Sequence, residues 1–155
     1  MKLRLDVLLV GAFFLTAVVG PWIAPYDPTS IDLRHQFELP SAAHWLGTAD
    51  NGVDIFSALL HGARLAALVA ISVVATSAIL GTFIGTLAGY AGGRTDQALG
   101  ALMDLVQSFP GILLNIAILA LVAEPSLTSL ILALAIPGWV LYARLARAEA
   151  GGARG

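Results

Sequence analysis

No cysteine occurs in this chain of 155 residues, which excludes a disulfide framework and any cysteine-ligated metal. Charge is also scarce: 8 Lys and Arg and 10 Asp and Glu make up 12% of the residues, with a net charge of −2. There is no basic tract, so neither nucleic acid nor an anionic membrane surface is an electrostatic partner. Phosphate-binding glycine loops followed by lysine, nucleophile elbows and carboxylate pairs on one helix face are all missing, which removes the common catalytic constellations. The three histidines, His35, His44 and His61, lack metal-ligand spacing and read as solvated or interfacial side chains. What the chain has in abundance is apolar residues, 58% of the total, with a mean hydropathy of +0.86. That is too apolar for a soluble domain of this length, so the chain is read as an integral membrane protein that works through its spans and loops.

The stretch from Leu65 to Gly93 carries no charge and exceeds the roughly 20 apolar residues that a bilayer crossing needs. Along it Ser77, Gly81, Gly85, Gly89 and Gly93 recur at every fourth position, which on a helix makes one groove free of side chains. Glycine costs a helix about 1 kcal/mol against alanine, so this spacing predicts that a second helix lies in the groove.

Ahead of this span, Lys2 and Arg4 precede an apolar run from Val7 to Ala24. Asp6 and the position of Pro21 after Val19 and Gly20 favour a retained membrane anchor over a cleaved signal. Pro21, Pro25 and Pro28 are expected to end that helix. A polar loop of about 40 residues follows, from Trp22 to Gly62, with enough aliphatic and aromatic content to pack on something. Its last part, Asn51 to Arg64, places Val53, Phe56, Leu59, Leu60 and Ala63 at helical spacing and predicts a short surface helix capped by Asp50 or Asn51.

Beyond the groove, Ala91 to Asp96 reads as a tight turn, with Thr95 or Asp96 capping the next helix. A span from Ala98 to Ala123 follows, in which Asp104, Ser108, Gly111 and Asn115 fall on one polar face that would look toward a water path or a neighbouring helix. Pro110 should kink or break it. After the turn at Glu124, Pro125 and Ser126, a last apolar segment runs from Leu127 to Leu145, interrupted by Pro137 and Gly138, with Trp139 and Tyr142 at the place of an interfacial aromatic belt. The reading is an all-α, polytopic protein of about four spans. An N-terminus inside places Lys2, Arg4, Arg94, Arg144, Arg147 and Arg154 in the cytoplasm and only Arg34 and Arg64 outside, so both termini are expected to be cytoplasmic. The divisions are residues 1–24 for the tail and first span, 25–64 for the outer loop with its interfacial helix, 65–147 for three core spans and 148–155 for a cytoplasmic tail.

Five stretches together carry a resemblance: Leu46-Gly-Thr-Ala-Asp-Asn-Gly-Val-Asp-Ile-Phe-Ser57, His61-Gly-Ala-Arg64, Leu87-Ala-Gly-Tyr-Ala-Gly-Gly93, Ser108-Phe-Pro-Gly111 and Gly138-Trp-Val-Leu-Tyr-Ala-Arg144. The chain resembles the inner-membrane permease subunits of dipeptide, oligopeptide and nickel ABC importers, with Gly47, Thr48, Gly52, Asp54, Gly62, Arg64, Pro110, Gly111 and Arg144 as the signature positions. The resemblance implies a type I importer fold and transport by alternating access. Two permease subunits would form the path, two ATPase subunits would drive it, and a periplasmic substrate-binding protein would deliver the solute. The chain itself would hold no cofactor and do no chemistry. Ala49, Val53 and Ala58 stand where the family usually has an acid and two arginines. The family's Glu-Ala-Ala loop, which docks the ATPase, and two further spans have no counterpart before Gly155, so the chain is expected to be truncated and unable to couple ATP hydrolysis by itself. The alternatives are a small non-transporting scaffold that associates through the glycine groove, or a non-functional gene product; a membrane-embedded enzyme is disfavoured.

Overall fold

A computed structural model describes residues 4–152, and among these the regular structure is entirely helical. The helices are α1 (Leu5–Ile23), α2 (Ile55–Ala91), α3 (Gly93–Ser108), α4 (Gly111–Ala120) and α5 (Leu127–Gly152), with single 3₁₀ turns at Leu33–His35 and Asp50–Gly52. Lys2 and Arg154, two of the basic residues expected on the cytoplasmic side, lie outside the described residues. Helices α1, α2 and α5 are each long and apolar enough to cross a membrane, and α3 with α4 makes a fourth candidate if the bent pair is one span. The described residues divide into two compact units between Leu68 and Val69.

In the first unit, α1 packs on the start of α2 through small residues. Gly20 faces Leu60 so closely that a Cβ added to it would lie 3.1 Å from the Leu60 carbonyl oxygen, and Ala17 and Gly20 are both buried. Pro21 does not end α1 as expected. The missing N–H costs one hydrogen bond, but the Ala24 amide still closes on the Gly20 carbonyl at 3.0 Å, so the helix continues to Ile23.

The short surface helix and the following span are also not separate. They form one helix of 37 residues, α2, because no proline interrupts it and the single Gly62 is not enough to break it. At 1.5 Å per residue α2 is about 55 Å long, well beyond a hydrocarbon core of about 30 Å. Its cap is Asp54 rather than Asp50 or Asn51: the Asp54 carboxylate accepts the Ser57 amide at 2.8 Å, while Asn51 takes a positive φ of 58° in the 3₁₀ turn ahead.

The second unit holds α3 to α5 and the rest of α2. Gly92 and Gly93 turn the chain between α2 and α3 with φ of 63° and 55°, values that favour glycine. Thr95 and Asp96 therefore do not cap α3; Gly92 holds that place without a side-chain hydrogen bond. Pro110 does break the helix, and the bend between α3 and α4 is 87°. The polar face expected over 104–115 consequently does not form: Asp104 and Ser108 belong to α3, and Gly111 and Asn115 to α4. Helix α5 runs straight through Pro137 and past Leu145 to Gly152, so residues 148–152 of the expected tail are helical. The core consists of Met103, Trp139, Val140 and Ala143, with Ile84 and Val106 packed against it. Trp139 is thus a core residue and not part of an interfacial belt.

Candidate functional site

Three arrangements draw together the residues singled out in the sequence. The first is the glycine groove of α2, which α5 fills. A Cβ on Gly81 would collide with the Trp139 carbonyl and come within 2.7 Å of the Tyr142 Cβ; one on Gly85 would collide with the main chain of Ala143; one on Gly89 would lie 2.5 Å from the Arg147 carbonyl and 2.9 Å from the Ala150 Cβ. Ser77 extends the same line: its side chain is buried, and its Oγ lies 3.4 Å from the Ala135 carbonyl and 2.7 Å from where a Cβ on Gly138 would stand. Gly93 is not part of the groove, since a Cβ there would meet nothing within 4 Å. The partners rise in number along α5 as the glycines rise along α2, so the two helices run parallel.

The second arrangement is the loop before α2, which the signature residues build from within. Thr48, buried, accepts the Glu38 amide at 2.9 Å and donates to the His35 carbonyl, tying two distant parts of the loop. Gly47 and Gly52 have φ of 77° and 72°, and any side chain there would strike the Glu38 and Asp32 carbonyls respectively. Asp54 caps α2 through one oxygen and pairs with His44 Nδ1 at 3.0 Å through the other, while Ser57 Oγ accepts the Tyr26 amide at 3.1 Å. Burial pushes the Asp54 carboxyl up, but the Ser57 amide and hydroxyl and the His44 ring outweigh it and hold the carboxyl below its usual range. His35 is raised, first by its 2.6 Å hydrogen bond to Glu38 and then by the charges of Glu38 and Asp32. His61 Nδ1 lies 3.0 Å from the Ser57 carbonyl. A cavity of about 240 Å³ opens among Tyr26, Ser30, Asp32, His35, His44 and Asp54, and no metal-holding group of three ligands is formed among the described residues. Of the remaining signature positions, Gly62 and Arg64 are exposed on α2, and Pro110 with Gly111 makes the break between α3 and α4.

The third arrangement is a charged cavity of about 430 Å³ bounded by α2, α3 and α5. Arg147 grips Asp96 with two nitrogens, at 2.5 and 2.7 Å, and Arg144 meets Asp104 at 2.7 Å. Gly100, buried between the two aspartates, leaves room for the Arg147 guanidinium: a Cβ there would stand 2.8 Å from it. Sequence reading missed the Asp96–Arg147 pair and Gly100. The four-residue spacing of Asp96, Gly100 and Asp104 was the available signal, because it puts them on one helix face. Among the polar residues expected to line a path, Asp104 is thus engaged by Arg144, and Ser108 bonds its own helix at the Leu105 carbonyl, 2.6 Å away. The Asn115 side-chain oxygen is buried with no hydrogen-bond partner among the described residues.

No family model matches the chain. Similar curated proteins are the probable D,D-dipeptide transport system permease protein of Escherichia coli K12, 39% identical over 92% of this chain and 47% of its own length, and the nickel transport system permease protein of the same strain, 36% identical over 94% and 52%. The dipeptide transport system permease protein of Bacillus subtilis is 34% identical over 96% of this chain and 46% of its own length. The chain therefore spans about half the length of the curated relatives it matches. With three or four helices long and apolar enough to cross a membrane among its described residues, and identities of 34–39% over more than nine-tenths of its length, the chain is homologous to dipeptide, oligopeptide and nickel ABC transport permease proteins.

Proposed function

We propose that this chain supplies part of the membrane path of an ABC importer for peptides or a comparable small solute such as nickel. The carrying observation is homology to peptide and nickel transport permeases along more than nine-tenths of the sequence. In this reading a second permease subunit completes the path, two ATPase subunits drive it, and a periplasmic binding protein delivers the solute. The pathway opens alternately to each side, a change that its partners drive by interacting differently with the two states.

The topology supports the reading. The parallel run of α2 and α5 supports the bent pair α3–α4 as a crossing, because the pair would return the chain to the side on which α2 began, and this makes four spans in the proposed topology. With the basic residues Arg4, Arg94, Arg144 and Arg147 inside, the loop before α2 faces out and both ends face the cytoplasm. Asn115 is the best candidate for a path-facing group: an unpartnered amide oxygen on a membrane helix calls for water, solute or another subunit. The scaffold alternative is disfavoured because α5 of the same chain already occupies the groove through which a scaffold would associate.

Deletion of the encoding gene tests the proposal. Uptake of labelled dipeptides, oligopeptides or nickel should fall for one of these solutes, and unchanged uptake of all of them would overturn it.

A further inference from the structure

We infer that the Asp96–Gly100–Asp104 face of α3 is a two-position track for Arg147, which gives α3 and α5 two ion-paired registers. The three residues are spaced by one helical turn each, and the Arg147 guanidinium rests over the middle one. Asp96 and Asp104 thus stand about 6 Å to either side of Gly100 along the helix axis, within the reach of one long side chain after a slide of a helical turn or less. In the observed register Arg147 is held by Asp96 at 2.5 and 2.7 Å, and Arg144 meets Asp104. In the second register Arg147 moves to Asp104 and Arg144 is released.

The chemistry makes both positions tenable. The Arg147 side chain is 35% exposed, so its guanidinium is best held where a carboxylate faces it, and the track provides two such places. The residues left over are those that tolerate release. The Arg144 side chain is already 49% exposed, and Asp96 lies in the first turn of α3, where the helix dipole favours a negative charge and Gly92 offers no side-chain cap. Gly100 keeps the track open, since any side chain there would block the guanidinium midway. The cavity of about 430 Å³ alongside, lined by all four charged residues, provides the space in which the side chain moves. The pairs Asp96–Arg147 and Asp104–Arg144 show that α3 and α5 are antiparallel here, so a slide along the shared axis carries Arg147 from one aspartate toward the other. One-turn shifts of packed elements between discrete positions are a known form of conformational switching.

The test uses spin labels on cysteines placed at Gln107 and Glu149, both exposed, in the otherwise cysteine-free full chain in lipid nanodiscs. The parent should show two distance components. Asp96→Asn should enrich the shorter one, by up to about 5 Å, as Arg147 moves to Asp104. Asp104→Asn should remove that component and leave the longer one. If both variants move the distribution in the same direction, or neither moves it, the pairs are a fixed brace and the inference is wrong. If Asp96→Asn cannot be purified, the parent and Asp104→Asn decide alone: a single component in the parent, unchanged by the substitution, overturns it. The readout requires no transport, so it stands or falls separately from the permease reading.

Discussion

Gly85 lies against the main chain of Ala143 so closely that a Cβ added to it would stand 2.8 Å from both the Ala143 carbonyl carbon and its Cα. The obstacle is backbone, which cannot rotate away as a side chain can. Gly85→Leu should therefore separate α2 from α5 and destabilise the chain in detergent by about 1–3 kcal/mol, the usual cost of overpacking. Gly62→Ala is the control. Nothing lies within 4 Å of that position, so alanine there should be neutral or stabilising by up to about 1 kcal/mol. Thermal unfolding of both variants checks the prediction, and equal melting of Gly85→Leu and the parent would contradict it.

Asp54→Ala removes the cap of α2 and the partner of His44 together. A loss of about 1–2 kcal/mol is expected from the cap, with disorder of the loop before α2 as the visible result. Limited proteolysis should cut that loop in the variant and spare it in the parent. The same group sets an acid limit. The folded-state pKa of Asp54 is depressed below its usual 3.8, so its contribution is present above that value and is lost as pH falls through the lower, folded one. Asp54→Asn should flatten stability against pH in that acid range.

His35 gives the opposite sign. Its pKa is raised above the usual 6.5 by Glu38 and Asp32, so its stabilising pairs are complete below 6.5 and fade as pH rises through the raised value. The ring nitrogen shifts of His35, followed by NMR across neutral pH, should show a titration displaced upward from that of Glu38→Gln. Coincident titrations would remove Glu38 as the cause.

How far the fold could be read in advance depended on the kind of signal. The groove was legible because small residues every four positions have one geometric meaning on a helix, and the break at Pro110 was legible because proline removes an N–H from the ladder and disfavours helix in the residue before it. Boundaries were not. Pro21 and Pro137 look like stops, yet α1 and α5 continue through them because the loss is one hydrogen bond while neighbouring turns stay packed. Trp139 looked interfacial from its place near a span end, but its environment is set by the groove of α2, which no local pattern reveals. The pairing of Asp96 with Arg147 joins residues 51 positions apart and follows only from the packing of α3 on α5.

The orientation proposed from the basic residues has a direct check in a chain without native cysteine. Single cysteines at Ser30 and Ser126 should react with a membrane-impermeant reagent in intact cells, and one at Thr95 should react only after permeabilisation. Labelling of Thr95 alone would invert the topology.

The closest coupling between packing and charge is at Gly100. Its added Cβ would meet the Arg147 guanidinium at 2.8 Å, the far end of a flexible side chain that could ordinarily move aside. Here it cannot move freely, because two of its nitrogens are fixed on Asp96. Gly100→Ala should therefore act chiefly by dislodging Arg147 from Asp96, and it should cost little once that pair is already gone. A double-mutant cycle with Asp96→Asn measures this. The two substitutions should be non-additive, with a coupling of about 0.5–3 kcal/mol, as for residues sharing a partner. Arg147→Lys should resemble Asp96→Asn, since an ammonium cannot reproduce the two-point grip of a guanidinium on a carboxylate. Strict additivity of Gly100→Ala and Asp96→Asn would mean that glycine is there for the approach of the helices and not for the arginine that lies across it.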